Sequence, residues 1–331
     1  MADGSNLDYI TARIHAMMSR SIINENLIEY KKIKTIEELH KKKFPDDKVP
    51  TPTRYLYKRV EQLSKEEFFN SLNMLSSHFF CNNKIINTLI SRYEIENIIT
   101  VVNGYYTGLK IIDKLFEFKT RNGLVYDVLY KKDMLDLDTV KSFLKDSMFG
   151  FVIPLIEKRE ELHKVENQLD KFYYSNLYHY IKSSDEANIK LLSLIREEMN
   201  WENIRWAFRS KIFFKKTYEE TENTFVKVSG LIDFSLIKAI FDIQFLSGEI
   251  NRILGPFPQV FKDIISKSFD NEGDLSLTTL EGLIDERLIK QYYLSFYTGN
   301  GMLPVVAFFY LKRKEYKNII GLVESLKYNI N

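Results

Sequence analysis

The side chains best suited to acid–base catalysis or metal binding are five histidines and several pairs of adjacent glutamates. The histidines are scattered along the sequence without the spacing of metal ligands. The glutamate pairs stand among lysines, where ion pairs one helical turn apart are typical of a solvated face. Each histidine is therefore interpreted as a half-buried helix residue and each glutamate pair as surface. The residues are His15, His40, His78, His163 and His179, and the pairs Glu37-Glu38, Glu197-Glu198 and Glu219-Glu220.

No short motif of an established enzyme class occurs in the chain. The sequence lacks the phosphate loop G-x-x-x-x-G-K-[ST], the dinucleotide motif G-x-G-x-x-G, the zinc motif H-E-x-x-H and the nucleophile motif G-x-S-x-G. The single cysteine, Cys81, cannot form an intramolecular disulfide or a cysteine metal cluster, and is interpreted as a small core residue in a reducing compartment. No catalytic residue, cofactor or metal site is predicted.

The composition favours long helices joined by short connections. The 331 residues include only 13 Gly and 7 Pro, the residues that most often interrupt helices. At about 150 residues per domain, two or three domains are expected. The charges nearly balance, with 47 Lys and Arg against 45 Asp and Glu, so nucleic acid is not the expected partner.

The longest apolar run, residues 305–311, is too short for a membrane crossing, and no signal peptide is recognised. A soluble chain that docks on a membrane protein is therefore predicted.

Several helices can be placed from apolar periodicity and capping patterns. Leu7, Ile10 and Ile14 predict an amphipathic helix from the first residues. A continuous helical rod is expected over residues 156–181, and a loop with three prolines over residues 44–53. Helix starts are predicted at Ser5 with Asp8, Thr35 with Glu38, Ser64 with Glu67, Ser183 with Glu186 and Thr278 with Glu281.

A helical segment centred on an asparagine occurs three times. In each copy a large apolar residue stands two positions before the asparagine and an isoleucine directly after it. The asparagines are Asn97, Asn203 and Asn318, and their separations of 106 and 115 residues are close to one third of the chain. This spacing predicts a triplicated helical unit. The alternative is chance, because asparagine is common in glutamate-rich amphipathic helices.

The order of these segments resembles one protein family along nearly the whole chain. The sequence is similar to the C subunit of the V/A-type rotary ATPases, whose counterpart in the eukaryotic vacuolar enzyme is called the d subunit. The resemblance is carried by Tyr9, Ala12 and Arg13 in the first helix, residues 169–173 and 202–205 in the middle, residues 228–232, and residues 305–311 with Glu315, Lys317 and Asn318 at the end. Two features depart from it, namely Ile320 where the family usually has Arg, and the proline-rich segment 45–52.

The resemblance implies an all-α fold of three similar helical domains around a pseudo-threefold axis, forming a funnel with a central cavity. The expected domains are residues 1–115, 116–222 and 223–331. The signature residues are Glu96, Asn97, Glu202, Asn203, Arg205, Glu315 and Asn318, together with Tyr9, Ala12 and Arg13 in the N-terminal helix.

The resemblance also implies a non-catalytic central-stalk subunit of a proton- or sodium-translocating ATPase. Such a subunit lies on the cytoplasmic face of the membrane as a peripheral component, without inserting into the bilayer. It would link the shaft of the catalytic sector to the proteolipid ring and pass torque between them for ion transport or ATP synthesis, without a cofactor. Two alternatives stay open: a helical-repeat adaptor that binds soluble protein partners, and an enzyme with an unrecognised carboxylate or histidine site.

Overall fold

Helices make up the regular structure of the computed structural model, which describes residues 4–23, 25–78, 83–109, 115, 123–130, 134–184, 189–242, 254–270 and 274–328. In these ranges the only β pairing is a single bridge between Phe269 and Leu275, so the predicted all-α class is confirmed. The described α-helices are α1 (Gly4–Met18), α2 (Glu25–Lys31), α3 (Ile36–Lys43), α4 (Thr53–His78), α5 (Lys84–Thr107), α6 (Asp127–Tyr130), α7 (Leu137–Leu144), α8 (Ile153–Glu157), α9 (Leu162–Lys182), α10 (Ile189–Ile212), α11 (Tyr218–Thr221), α12 (Phe234–Asp242), α13 (Gln259–Ser266), α14 (Leu277–Thr298) and α15 (Met302–Tyr328).

Six of these helices are long, and they follow one another in three pairs. The pairs are α4 with α5, α9 with α10, and α14 with α15, with lengths between 21 and 27 residues. Shorter helices precede each pair. Among the described residues, none of these helices combines the length and the apolar character that a membrane crossing requires. Cys81 lies outside the described residues.

The chain divides into two compact units, and the first combines both ends of the sequence. It contains Met1–Ile86 and Glu286–Asn331. Its core joins α3, α4 and α15, because apolar side chains from all three helices are buried together. This burial of apolar surface, at about 25 cal/mol per Å², is the main stabilising contribution. The core residues are Ile22, Ile33, Ile36, Leu39, Leu56, Val60, Ile319 and Val323.

The second unit contains Asn87–Asp285. Its interior combines aliphatic and aromatic side chains: Trp201 on α10 contacts Phe261 on α13 at a ring separation of 4.5 Å. Phe143 and Phe208 are also fully buried. The predicted three-part division at residues 115/116 and 222/223 stays a prediction beside this two-unit description.

The capping patterns identify some helix starts and misplace others. Thr35 is the N-cap of α3, as predicted, and its Oγ1 accepts a hydrogen bond from the Glu38 N–H at 3.2 Å. The start predicted at Ser64 is wrong, because this residue lies inside α4 and its hydroxyl donates to the Val60 carbonyl. The start predicted at Thr278 is also displaced, since Ser276 accepts from the Thr279 N–H in front of α14.

The helix starts predicted at Ser5 and Ser183 also differ from the structure. Helix α1 begins at Gly4, so Ser5 lies within its first turn rather than in front of it. Ser183 is the C-cap that ends α9. Its predicted partner Glu186 lies outside the described residues.

The rod predicted over residues 156–181 is interrupted near its start. Helix α8 ends at Glu157 and α9 begins at Leu162. Between them Arg159 adopts a φ of 51°, a left-handed conformation that a continuous α-helix does not contain. The longest described helix is therefore α15, with 27 residues.

Candidate functional site

The three repeated asparagines lie on the second helix of each long pair, at Asn97 on α5, Asn203 on α10 and Asn318 on α15. Asn97 and Asn203 are buried, and Asn318 is half-buried. Each donates a side-chain hydrogen bond to a group outside its own helix, and long helices are thereby attached to irregular chain. The acceptors are the Tyr126 hydroxyl at 2.7 Å, the Val226 carbonyl at 2.9 Å and the Ile22 carbonyl at 3.1 Å, respectively.

Asn203 makes the most complete of these attachments. Its Nδ2 donates to the Val226 carbonyl, and its Oδ1 accepts from the Val226 N–H, both at 2.9 Å. One amide side chain thus satisfies both backbone polar groups of a buried residue that has no strand or helix partner. A buried backbone group without a partner costs about 1–3 kcal/mol, so the contact fixes this segment against α10.

A second polar side chain stands one turn before each asparagine. The positions are occupied by Glu94, Asn200 and Glu315, and all three side chains are buried. Asn200 Oδ1 accepts from the Ile232 N–H at 3.0 Å, and Glu315 Oε1 accepts from the Ile22 N–H at 3.0 Å. Residues three apart share one helix face, so α10 and α15 each hold the neighbouring chain through two side chains.

This pairing follows the order of residues in the three repeated segments. The signature residues Glu96 and Glu202 stand directly before the first two asparagines, whereas Glu315 precedes Asn318 by three residues. By position, Glu315 instead corresponds to Glu94 and Asn200. At this position Asn200 and Glu315 both accept a backbone hydrogen bond, although their residue types differ.

The segment held by Asn200 and Asn203 is fixed from a third side as well. Arg196 Nε donates to the Ser229 carbonyl at 3.1 Å, and the Tyr178 hydroxyl bonds with the Ser229 hydroxyl at 2.7 Å. The bond to Ser229, together with Arg196, lowers the pKa of Tyr178 below its ordinary value. At Gly230 the backbone has a φ of 84°, and a Cβ there would lie 2.8 Å from the Arg196 guanidinium, so only glycine fits without displacement.

Glu315 is the centre of a group of charges in the first unit, here named the Glu315 cluster: Lys43, Glu67, Lys312 and Glu315. The side chain of Glu67 is 41% exposed, and the other three are buried. The Glu315 carboxylate binds Lys43 Nζ at 3.0 Å and also binds Lys312. Lys43 in turn binds Glu67 at 3.0 Å. Two ammonium groups and two carboxylates balance, which is the condition under which charges are tolerated away from water.

The cluster also sets the protonation of two of its members. Burial alone would lower the pKa of Lys43, but Glu315 and Glu67 raise it above its ordinary value. Burial alone would raise the pKa of Glu315, but Lys312 and Lys43 hold it below its ordinary value. Lys43 and Glu315 are therefore both charged at neutral pH. A cavity of about 10 Å³ beside them has room for about one water molecule and not for a nucleotide.

Ion pairs connect the second helix of one long pair to the first helix of the next. Arg92 on α5 binds Asp170 on α9. Arg205 on α10 binds Asp285 on α14 at 2.5 Å, beside its bond to Glu202 at 2.6 Å. Within the first unit, Lys312 on α15 lies 3.6 Å from Glu67 on α4. Each of these ion pairs therefore joins helices from two different long pairs.

The signature acids Glu96 and Glu202 lie in the electrostatic environment of Arg92. Burial alone would lower the pKa of this guanidinium, but Asp170, with Glu96 and Glu202 among the further contributors, raises it well above its ordinary value. The half-buried Glu166 belongs to the same surroundings. Burial and then the nearby Asp170 raise its pKa above the ordinary value, although Arg92 and Arg209 act in the opposite direction.

The N-terminal signature residues occupy the exposed face of α1. Tyr9, Ala12 and Arg13 are exposed, and Arg13 Nη1 donates to the Tyr9 hydroxyl at 3.3 Å. The opposite face, with Ile10 and Ile14, is fully buried. The residues that carry the family resemblance in this helix are therefore available to a partner rather than needed for its packing.

The histidines occupy unrelated surroundings. His15 contacts Phe296 at a ring separation of 4.3 Å, and His163 stacks on Phe214 at 4.0 Å. His40 bonds with Asp47 at 2.9 Å. Among the residues that the structure describes, no three acidic, histidine or cysteine side chains are arranged to hold a metal ion. The side chain of His78 lies outside the described part of the chain. The expected surface position of Glu198 is wrong, because this side chain is buried and accepts a hydrogen bond from the Tyr174 hydroxyl at 3.0 Å.

Comparison with known proteins gives a match along almost the entire chain. The family described as ATP synthase (C/AC39) subunit matches residues 10–331. A relative from Methanococcoides burtonii, named as the C subunit of an A-type ATP synthase, is 26% identical over 218 residues. That alignment covers 62% of this chain and 60% of the relative. Members of the C/AC39 family are non-catalytic stalk subunits rather than enzymes. The family match, which extends from α1 to the end of α15, shows that this chain belongs to the ATP synthase C/AC39 subunit family.

Proposed function

We propose that the chain is the central-stalk subunit of a V/A-type rotary ATPase, which links the rotating shaft to the proteolipid ring and transmits torque without chemistry of its own. The observation that carries this proposal is the family match over residues 10–331. The proposed partners are the shaft subunits of the catalytic sector and the ring in the membrane. The proposed location is the cytoplasmic face, as a peripheral component of the complex.

The order of the helices supports three similar domains around a pseudo-threefold axis. The long helices follow in three pairs, and each pair contributes one asparagine that binds irregular chain. The ion pairs lead from α5 to α9, from α10 to α14 and from α15 back to α4. Contacts from each long pair to the next, and from the last pair to the first, are what a closed threefold arrangement requires. We therefore propose the domains 1–115, 116–222 and 223–331, and a funnel with a central cavity.

The contacts at the repeated positions suit a part that carries mechanical load. A torque adapter must resist shear between its helices, and tightly packed interiors have low compressibility. Loops are the most deformable parts of a helical protein. Here the chain around Val226 and Ile22 is bound to α10 and α15 by two side chains each. Load applied to a long helix thus reaches the next element through short polar contacts.

Capture and nucleotide-binding experiments test this function. The purified whole chain is expected to retain the shaft subunits and the solubilised proteolipid ring of its ATPase, and to show no ATP binding by isothermal titration calorimetry. Tight binding of ATP by the isolated chain would contradict the proposal. The loss of the shaft subunits, or of the ring, from the captured material would also contradict it. Capture of a soluble amphipathic peptide instead of the ATPase components would favour the helical adaptor.

A further inference from the structure

The segment 25–60 has a net positive charge, whereas the rest of the chain does not. It contains ten Lys and Arg against six Asp and Glu, whereas the whole chain has 47 against 45. Lys43 is buried in the Glu315 cluster, and Arg59 is half-buried. The remaining basic side chains of the segment are exposed: Lys31, Lys32, Lys34, Lys41, Lys42, Lys48, Arg54 and Lys58.

The proline-rich loop, residues 44–52, is held in a defined position by Asp47. Arg59 donates to both carboxylate oxygens of Asp47, at 3.0 and 2.7 Å, and His40 bonds with the same group at 2.9 Å. These bonds, led by the one from Arg59, hold the pKa of Asp47 far below its ordinary value. Three prolines in the loop further restrict its backbone. Lys48 and Val49 are exposed to solvent directly after the residue that fixes the loop, Asp47.

Helices α2, α3 and α4 and this loop share one surface. Lys42 Nζ lies 4.6 Å from the centre of the Tyr30 ring, which joins α3 to α2. Thr53 Oγ1 donates to Glu37 at 2.6 Å, which joins the start of α4 to α3. The surface also exposes isolated apolar side chains: Ile28, Val49 and Tyr55 are 59%, 54% and 50% exposed, respectively.

We propose that α2, α3, the loop 44–52 and the first turns of α4 form a docking surface for the anionic headgroups of a lipid bilayer. Lysines mixed with isolated apolar and aromatic side chains are typical of proteins that adsorb to membrane surfaces. The ammonium groups contact headgroup phosphates, while Val49 and Tyr55 enter the headgroup layer. The choice of a bilayer over an acidic protein rests on the proposed function, which places the chain beside the membrane.

Vesicle binding tests the proposal with the whole chain. We expect the protein to sediment with vesicles of equimolar phosphatidylcholine and phosphatidylglycerol, to stay in solution with pure phosphatidylcholine, and to be released by salt. The triple variant Lys34→Gln, Lys41→Gln, Lys48→Gln is expected to bind about 100-fold more weakly, since each lysine near an anionic surface contributes roughly a factor of five. Val49→Ser is expected to weaken binding several-fold without changing the salt dependence.

A matched control removes the same charge elsewhere. Lys145, Lys227 and Lys267 are exposed and lie outside the segment, so their replacement by Gln is expected to leave vesicle binding within twofold. Equal binding to neutral and anionic vesicles, or equal losses in the two triple variants, would overturn the proposal. Binding to double-stranded DNA without binding to vesicles would also overturn it and would assign the surface to nucleic acid.

The capture experiment separates this inference from the proposed function. The triple variant of the segment is expected to retain the shaft subunits and the solubilised ring. If the wild-type chain retains them but never binds anionic vesicles, the docking surface is wrong and the stalk function stands. If the wild-type chain binds vesicles but retains neither partner, the stalk function is wrong.

Discussion

Helices α10 and α15 hold irregular chain from the same two positions but with different chemistry. On α10, the two side chains are the uncharged Asn200 and Asn203. On α15, the first position is Glu315, whose buried carboxylate requires Lys43 and Lys312 beside it. The positions of the two side chains are repeated, whereas their charge and the residues that they bind differ. The two regions are therefore expected to differ in how they respond to the loss of a side chain and to pH.

The largest effect is expected from Glu315→Gln. The substitution keeps the size of the side chain but leaves Lys43 and Lys312 buried with one carboxylate fewer. Breaking a buried charge group by removing one partner costs about 3–5 kcal/mol of the free energy of unfolding. Urea unfolding measures the loss, and hydrogen exchange of the α15 amides locates it. Glu67→Gln is the control, because this side chain is 41% exposed and its loss is expected to cost less.

The same variant tests the predicted pH dependence. The pKa of Glu315 lies below its ordinary value of 4.5, so its ionised form stabilises the folded state. That contribution is present above pH 4.5 and is lost as the pH falls through the folded-state pKa. Stability of wild type is expected to fall more steeply with acid than that of Glu315→Gln. If the stability of the two proteins fell equally with decreasing pH, the assigned role of this carboxylate would be contradicted.

A smaller effect is expected from Asn203→Ala on the uncharged attachment. The change leaves the N–H and carbonyl of buried Val226 without their partners, which costs about 1–3 kcal/mol. The exchange of the Val226 amide hydrogen should accelerate in parallel with the loss of global stability. Asn223→Ala, at an exposed position nearby, is expected to change the free energy of unfolding by about 0.5 kcal/mol or less. Equal effects of the two substitutions would show that the attachment does not stabilise the fold.

Asn318→Ala is expected to have a weaker effect than Asn203→Ala. Asn318 is half-buried and donates one hydrogen bond, to the Ile22 carbonyl, where water can replace it. The expected loss is about 1 kcal/mol, measured by urea unfolding. A loss that matches or exceeds that of Asn203→Ala would mean that burial does not set the strength of these attachments.

The smallest effect, and one of opposite sign, is expected from Glu166→Gln in the second unit. The pKa of Glu166 is raised above its ordinary value of 4.5, chiefly by burial and then by Asp170, so its ionised form destabilises the folded state. This destabilisation appears as the pH rises through the folded-state pKa and is absent below pH 4.5. The variant is expected to be slightly more stable than wild type at pH 7 and to lose that advantage in acid. A destabilised variant at pH 7 would contradict the assignment.

The helical class and the location of the repeated asparagines on helices could be predicted from the sequence, because both depend on local sequence pattern. Capping patterns were less specific. Thr35 and Ser64 both stand three residues before a glutamate, but Ser64 continues the apolar spacing of Leu56 and Val60, so the helix passes through it and its hydroxyl bonds within the helix. A pattern of four residues does not distinguish a helix start from a helix interior.

The contacts of the signature residues could not be predicted from the sequence. Arg92 and Asp170 are 78 residues apart, and Glu315 and Ile22 are 293 apart, so no local periodicity connects them. Asn200 was not among the signature residues, because different residue types, here Asn200 and Glu315, serve as the hydrogen-bond acceptor at its position. The role of Asp47 in fixing the proline-rich loop likewise depends on Arg59, a residue on the following helix.

ATP-driven ion uptake by vesicles that contain the reconstituted ATPase tests the central claim most directly, with this chain present or omitted. Torque coupling predicts that the complex without the chain hydrolyses ATP but accumulates no ions, and that adding the chain restores uptake. Equal ion uptake with and without the chain would contradict its proposed role as the link between shaft and ring.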